Sequence, residues 1–353
     1  MQREQRKLEH IKYALELGDG PATTHFADLR LLNNCLPELN PADIDISVEL
    51  LGKRLRLPFF IDAITGSTDA VTDINRKLAQ VAKRCGIGMA VGSQYGAVCQ
   101  GSGVQSYRVV REENPDGLIF ANMSAFVTPE QALAAVEMVQ ADALELHLNA
   151  AQEVIMLEGD KNFAGLLKNM QSILAVLPVP IIIKETGCGI AREQYQMLLD
   201  AGFTVFNCAG AGGTSFMAIE AKRIGIDIKS DHIGIPTCWS LIDGQDVIPA
   251  KCCLLASGGI RSDQSLLMPF ALGADAVGIT APVLRLVVEE DVDAAVAYFE
   301  NLAECLANEM LLQGCRRPSD LRRVPLIFSG ETRNYLDCRG YNLTEICRAR
   351  RQK

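Results

Sequence analysis

One stretch of the chain alternates strictly between apolar and polar residues. Leu144, Leu146 and Leu148 occupy one set of positions and Glu145, His147 and Asn149 the other, just before Gln152 and Glu153. A period of two predicts a strand. The neighbouring apolar runs belong to the kind buried on both faces of a parallel sheet. Three polar groups on one face of such a strand therefore require a reason.

Eight short β-rich runs recur along the chain, at 58–63, 86–91, 117–123, 143–149, 179–185, 204–208, 252–257 and 276–280. Helix-like segments lie between them. Thr128-Pro129-Glu130-Gln131 is a helix start, with a Thr cap, Pro in the first turn and a Gln able to bond back. Segments 75–85 and 163–177 carry apolar residues at helical spacing. Repeated strand–helix units with right-handed crossovers give an open doubly wound sheet or a closed barrel, and eight units favour an α/β fold of the (β/α)8 TIM-barrel type. No internal repeat is visible, so the count carries that choice.

Such a barrel takes about 250 residues. The surplus falls in an N-terminal arm (1–57), a long loop insert after the sixth strand (226–249) and a C-terminal tail (313–353) around a barrel at 58–312, all one domain. The insert has little periodicity and reads as a loop, and long loops in compact domains are usually functional or disordered.

In a barrel of this class the C-terminal strand ends build the active site. Here they read Ala63 to Gly66, Gly92-Ser93-Gln94, Asn122, His147-Leu148-Asn149, Lys184-Glu185-Thr186, Gly210 to Ser215, Ser257-Gly258-Gly259-Ile260-Arg261 and Thr280-Ala281-Pro282. One polar strand end would mean nothing, but eight together are hard to assign to packing. The loops after strands seven and eight commonly hold phosphate on backbone N–H groups at a helix N-terminus. An isolated Gly-Gly is more often a tight turn. Here the preceding strand, the place in the chain and Arg261 shift Gly258-Gly259 towards a phosphate site, and the sequence AGAGGTS at 209–215 offers a second backbone cradle.

Lys184 ends the run Val179-Pro180-Ile181-Ile182-Ile183. A buried unpaired ammonium costs several kcal/mol, so it must meet an anion or an electron-rich group. Glu145 on the next strand and a bound cofactor are both candidate partners. A lone histidine is more often a satisfied core residue, but His147 and Asn149 beside Lys184, with Gln152 and Glu153 above, favour a ligand site. One carboxylate among amides is a poor structural zinc site and suits Mg²⁺, which takes one or two carboxylates plus substrate phosphate. Arg6, Lys7 and His10 share one face of an N-terminal helix. Solvation is the default for such a face, and it becomes functional only if the arm folds over an anion.

Composition narrows the function. The chain is 48% hydrophobic and 22% charged with a net charge of −9, globular and without the basic footprint that nucleic acid demands. Arg316-Arg317, Arg322-Arg323 and the Arg-rich end at 348–351 read as solvated faces. The start, MQREQRKLEH, lacks the apolar stretch of a signal peptide, and the longest apolar run is too short to span a bilayer. A cytosolic enzyme without membrane contact is expected. None of the twelve cysteines forms a CxxC pair, so buried thiols acting as small hydrophobes are the expectation. Cys188 alone lies near a strand end.

The motif His147-Leu148-Asn149-Ala150-Ala151-Gln152-Glu153 followed by Glu158-Gly159-Asp160 resembles the type 2, FMN-dependent isopentenyl diphosphate isomerases. Arg6-Lys7-Leu8-Glu9-His10, Gly92-Ser93-Gln94, Lys184-Glu185-Thr186-Gly187, Gly212-Gly213-Thr214-Ser215-Phe216 with Ile219-Glu220, and Ser257 to Arg261 support the resemblance, which runs from Arg6 to about Leu284. It implies interconversion of isopentenyl and dimethylallyl diphosphate in isoprenoid biosynthesis, by an allylic proton shift that uses reduced FMN and Mg²⁺. NADPH or another reductant would reduce the flavin, and a homotetramer is implied. It assigns FMN to Ala63, Thr65, Ser93, Asn122, Lys184, Thr214, Gly258, Gly259, Thr280 and Ala281. Substrate diphosphate falls to Arg6, Lys7, Ser93 and Gln152, with His10, His147 and Asn149 nearby. Glu153 would hold the metal, and Gln152, Glu153 and Lys184 form the catalytic set. Two positions depart from the family pattern: Tyr95 stands where an Arg is usual, and His232 where a Trp is usual.

Two other readings compete. An FMN-dependent hydroxy-acid oxidase would need a histidine base beside an arginine that grips a carboxylate, and none of the four histidines is paired with Arg at a strand end. A non-catalytic flavin-binding barrel would have no use for Gln152 and Glu153.

Overall fold

The structure is a computed structural model that describes residues 2–18, 20, 22–63, 65–226, 233–261 and 263–350. The side chains of 2–8, 11 and 263–265 lie outside that description, and with them those of Arg6 and Lys7; His232 lies outside it altogether.

All eight strands anticipated from the pattern form. They are β1 (Phe59–Ile61), β2 (Gly88–Ala90), β3 (Ile119–Ser124), β4 (Ala143–Leu148), β5 (Ile181–Glu185), β6 (Val205–Asn207), β7 (Cys253–Ala256) and β8 (Ala276–Ile279). They close into a parallel barrel in sequence order, with β8 against β1 through Val277 and Phe59. The Thr128 start holds as read: Thr128 Oγ1 accepts from the Gln131 amide at 3.3 Å and Gln131 Oε1 accepts from the Thr128 amide at 3.0 Å.

Strand parity sorts the core. Phe59, Ile61, Leu144, Leu146, Ile181 and Ile183 face outwards and pack under the helices. Phe60, Phe120, Ala143, Ile182, Val205, Leu255 and Ala276 face inwards and fill the N-terminal half of the barrel. A hairpin in the arm, Val48–Leu50 against Lys53–Leu55, adds Leu50 and Leu55 to that plug. Its turn puts Leu51 at φ 50° and Gly52 at φ 82°, the left-handed pair that a tight hairpin requires. Two residues further along six of the strands, the inward positions become polar: Phe60 leads to Asp62, Phe120 to Asn122, Ala143 to Glu145, Ile182 to Lys184, Val205 to Asn207 and Leu255 to Ser257. The apolar plug is the floor on which a polar site stands.

One expectation is corrected. The insert at 226–249 is not a loop throughout, because Thr237–Val247 is a helix. It packs against the helices Arg192–Asp200 and Gly330–Cys338. Its periodicity was hidden because seven of its residues are buried, polar ones included. The arm and the tail also pair with each other. Leu29–Leu31 pairs antiparallel with Leu326–Phe328, and Asp28 Oδ2 accepts from the Thr332 amide and hydroxyl, each at 2.9 Å.

Asp243, fully buried, joins this assembly. It accepts from the Arg192 amide at 2.9 Å, Tyr335 at 2.7 Å and Tyr341 at 2.6 Å. Removing a buried acceptor orphans its donors. Asp243→Ala is expected to lower stability by about 3 kcal/mol, read as a shifted urea midpoint. An unchanged midpoint would show that the tail docks without it.

Candidate active site

A cavity of about 500 Å³ opens at the C-terminal strand ends. Lys184 and Asp62 lie at its base. Lys184 Nζ donates to Asp62 Oδ2 at 2.8 Å, and the Ala63 amide donates to Asp62 Oδ1 at 2.8 Å. Lys184 thus pairs with Asp62 from across the barrel, not with Glu145 on the adjacent strand. Burial alone would raise the Asp62 carboxyl and lower the Lys184 amine. Their mutual attraction outweighs burial, so the acid sits below its ordinary value and the amine above it.

Glu145 behaves differently. Burial and the charge of Asp62 push it up to about 8, against the opposing pull of Lys184 and Asn122. The site therefore favours its protonated form, since the lysine's one charge is already matched. Its Oε2 accepts from Asn122 Nδ2 at 2.7 Å, and Asn122 Oδ1 lies 3.0 Å from His147 Nδ1. The register pairs Asn122 with Glu145 and His147 with Lys184. The three polar groups of β4 are accounted for: Glu145 belongs to the floor, His147 to the wall and Asn149 to the start of the helix Ala150–Ile155.

The back wall is backbone. Gly258 and Gly259 have φ of 100° and 75°. A Cβ on Gly258 would lie 2.2 Å from the Gly210 carbonyl oxygen, and one on Gly259 2.3 Å from that of Gly212. The two glycine loops are pressed together, and only glycine fits there. Thr214, Arg261, Thr280 and Ala281 line the cavity beside them.

At the mouth, both oxygens of Glu153 are held. Asn149 Nδ2 donates to one at 2.7 Å and the Asp160 amide to the other at 2.8 Å. Gln152 Nε2 donates to Glu220 Oε1 at 2.9 Å, and His10 Nε2 reaches the same oxygen at 2.8 Å. Burial would raise Glu220, but its bonds with His10, Gln152 and Arg223 more than offset this and hold it at about 2. The N-terminal helix Gln2–Leu17 therefore does fold over the mouth, with His10 and Ala14 on the cavity wall.

Ala63, Ser93, Asn122, His147, Asn149, Gln152, Glu153 and Lys184 all line this cavity, as do Tyr95 and His10. Thr65 does not. It is buried behind the wall, its Oγ1 without a partner in the described structure and its carbonyl accepting from the Gly92 amide at 3.0 Å. Gln94 is structural, its carboxamide bonded to the Ala135 carbonyl at 2.9 Å and the Asn122 amide at 3.0 Å. Glu185 faces away and ties its own loop, accepting from the Thr186 and Cys188 amides at 2.6 Å each. Cys188 Sγ lies 4.0 Å from Met217 Sδ, and all twelve cysteines are free thiols.

Sequence reading missed Asp62 and the role of Glu220. Asp62 was signalled only by inward parity two residues after Phe60, and Glu220 only by a charge among Met217, Ile219 and Ala221 on a buried helix face.

Fold and site together define a (β/α)8-barrel enzyme acting at the C-terminal face of its barrel. No protein-family model matches the chain. It is 40% identical over 339 residues to an isopentenyl-diphosphate delta-isomerase of Moorella thermoacetica, covering 96% of this chain and 97% of that one. A Symbiobacterium thermophilum protein of the same name is 39% identical, with 98% of each chain covered. Among solved structures it is similar to a mandelate oxidase, with TM-score 0.67, 18% identity and coverage of 91% and 96% of the two chains. That likeness is one of fold. The chain belongs to the isopentenyl-diphosphate delta-isomerase family. No helix among the described residues is long and apolar enough to cross a membrane.

Proposed function

We propose that this chain interconverts isopentenyl and dimethylallyl diphosphate by an allylic proton shift, with FMN in the barrel mouth and Mg²⁺ on Glu153. The observation that carries the reading is a doubly anchored carboxylate and an oriented Gln152 standing over a Lys184 floor in one cavity.

The residues fit FMN. The paired glycine loops leave backbone N–H groups open to a phosphate, and Ser93, Asn122, Ala63 and Lys184 surround the floor where a ring would lie. Thr214, Thr280 and Ala281 would take the phosphate side, while Thr65 would act only by its backbone or after a shift. They also fit Mg²⁺. No cluster of three metal-ligating side chains occurs among the described residues. A single carboxylate completed by substrate phosphate and water is the arrangement that this ion accepts.

Reduced FMN would supply the proton donor and acceptor that an unactivated alkene needs. The chain's own residues bind and orient. Lys184, held by Asp62 at the base of the cavity, would present its ammonium to the flavin. Gln152, His147, Asn149 and His10 position the diphosphate, joined by Arg6 and Lys7 from the arm. The helix Gln2–Leu17 closes the mouth against water. NADPH would serve as reductant, and the enzyme would work as a homotetramer in the cytosol.

In D₂O, reduced holoenzyme should place deuterium in dimethylallyl diphosphate over many turnovers for each reduction, while oxidised holoenzyme is inactive. Consumption of one reductant per product would make the protein an oxidoreductase instead.

A further inference from the structure

The arm's N-terminal helix packs against the barrel helix Phe216–Ile224, where one guanidinium reaches three carboxylates from three elements. Arg223 Nε donates to Glu9 of the arm at 3.3 Å and its Nη2 to Glu158 of the mouth loop at 3.1 Å, while its Nη1 bonds Glu220 on its own helix. Arg223 is 13% exposed, against 31% for Glu9 and 46% for Glu158. It does not line the cavity. We propose that Arg223 is a positioning residue for the substrate, the clasp that couples seating of the arm to the geometry of Gln152 and Glu153.

The coupling follows the bonds. One oxygen of Glu220 faces Arg223, and the other is shared by His10 and Gln152. Moving Arg223 therefore releases the acceptor that orients the Gln152 amide. Glu158 sits two residues before Asp160, whose amide holds Glu153. The turn between them is tight, since a Cβ on Gly159 would lie 2.0 Å from the Glu153 carbonyl oxygen. Holding Glu158 thus holds the segment that sets the Glu153 carboxylate.

Charge explains why an arginine stands here. Glu9, Glu158 and Glu220 converge on one point and would repel one another and an incoming diphosphate. A planar guanidinium offers donors in three directions, whereas a lysine is a single point charge. Two further contacts seat the arm without reaching the mouth loop: Lys222 Nζ to Glu16 at 2.8 Å and Arg285 to the Leu15 carbonyl at 2.9 Å. They hold the last turn of the arm's helix, whereas the Arg223 cluster ties the middle of that helix to the Gln152 and Glu153 loop.

The inference rests on the isomerase reading for its kinetic test and on structure alone for its second. In reduced, FMN-loaded enzyme, Arg223→Met should raise KM for isopentenyl diphosphate by about tenfold or more, with a smaller loss in kcat, as expected for a lost charge-assisted contact that orders a binding element. Trypsin cleavage of the arm at Arg6, Lys7 or Lys12 should speed up by about tenfold as the clasp opens. Arg223→Lys should restore part of both effects. Glu9→Gln should raise arm cleavage with little change in flavin content, and Glu158→Gln should raise KM with little change in arm cleavage. These two partly exposed variants keep the test sound if Arg223→Met folds poorly. Unchanged KM and unchanged cleavage in Arg223→Met, or in both single-link variants, would overturn the proposal. Wild-type enzyme inert towards isopentenyl diphosphate would instead overturn the isomerase reading, and the cleavage comparison would still decide the clasp.

Discussion

Glu153→Gln is expected to lower kcat by about a thousandfold while FMN stays bound. Glu153 has two fixed donors, Asn149 Nδ2 and the Asp160 amide. A carboxamide can accept from only one of them. The other donor then faces an NH₂ group, and the side chain must rotate or lose a bond. The negative charge that would hold Mg²⁺ against the diphosphate is lost as well. Loss of one electrostatic anchor at a reacting centre typically costs about 10²–10³ in rate. The readouts are flavin absorbance, which should match wild type, and a Mg²⁺ titration of turnover, which should lose its saturable phase. Full turnover with wild-type Mg²⁺ dependence would remove the metal from Glu153.

Lys184→Met is expected to be the most damaging single change to the floor, and Asp62→Asn the change that repairs its stability. Lys184 and Asp62 are both buried, and their bond is 2.8 Å long. Breaking a buried pair by removing one partner leaves an uncompensated charge and costs about 3–5 kcal/mol. Removing both charges costs far less, because methionine and asparagine leave no charge uncompensated. The double variant should therefore regain most of the urea midpoint that the single variant loses. Flavin affinity should stay low in both, since the cation proposed to face the flavin is gone. Glu145 reinforces the argument. Burial and the Asp62 charge raise its pKa, so with Lys184 removed it adds no cation to balance Asp62, and its Oε1 has no partner in the described structure. If the double variant unfolds as readily as Lys184→Met, the pair is not what balances the floor.

Much of the architecture is legible along the chain. Each barrel strand is a short β-rich run, and strand parity alone turns Glu145, His147 and Lys184 inwards once Ala143 and Ile182 are known to be core. The glycines of the back wall stand out because close backbone approach leaves no other residue type. The helix Thr237–Val247 was not legible. A helix buried over most of its length has little polar face to set a period, and Ser240 and Asp243 are buried in it alongside Leu241.

The sequence by itself determined the eight strand–helix units, the polar strand ends and a mouth loop rich in carboxylate and amide, because these follow from periods of two and 3.6 and from single-residue chemistry. Partner choice across the barrel was decided only by the tertiary structure. Asp62 and Lys184 are 122 positions apart, and His10 and Glu220 are 210 apart. No local pattern encodes such meetings. Barrel closure and the docking of the arm bring these charges together, and burial then makes each pairing obligatory, since a charge removed from water must find its counter-charge or give up its own.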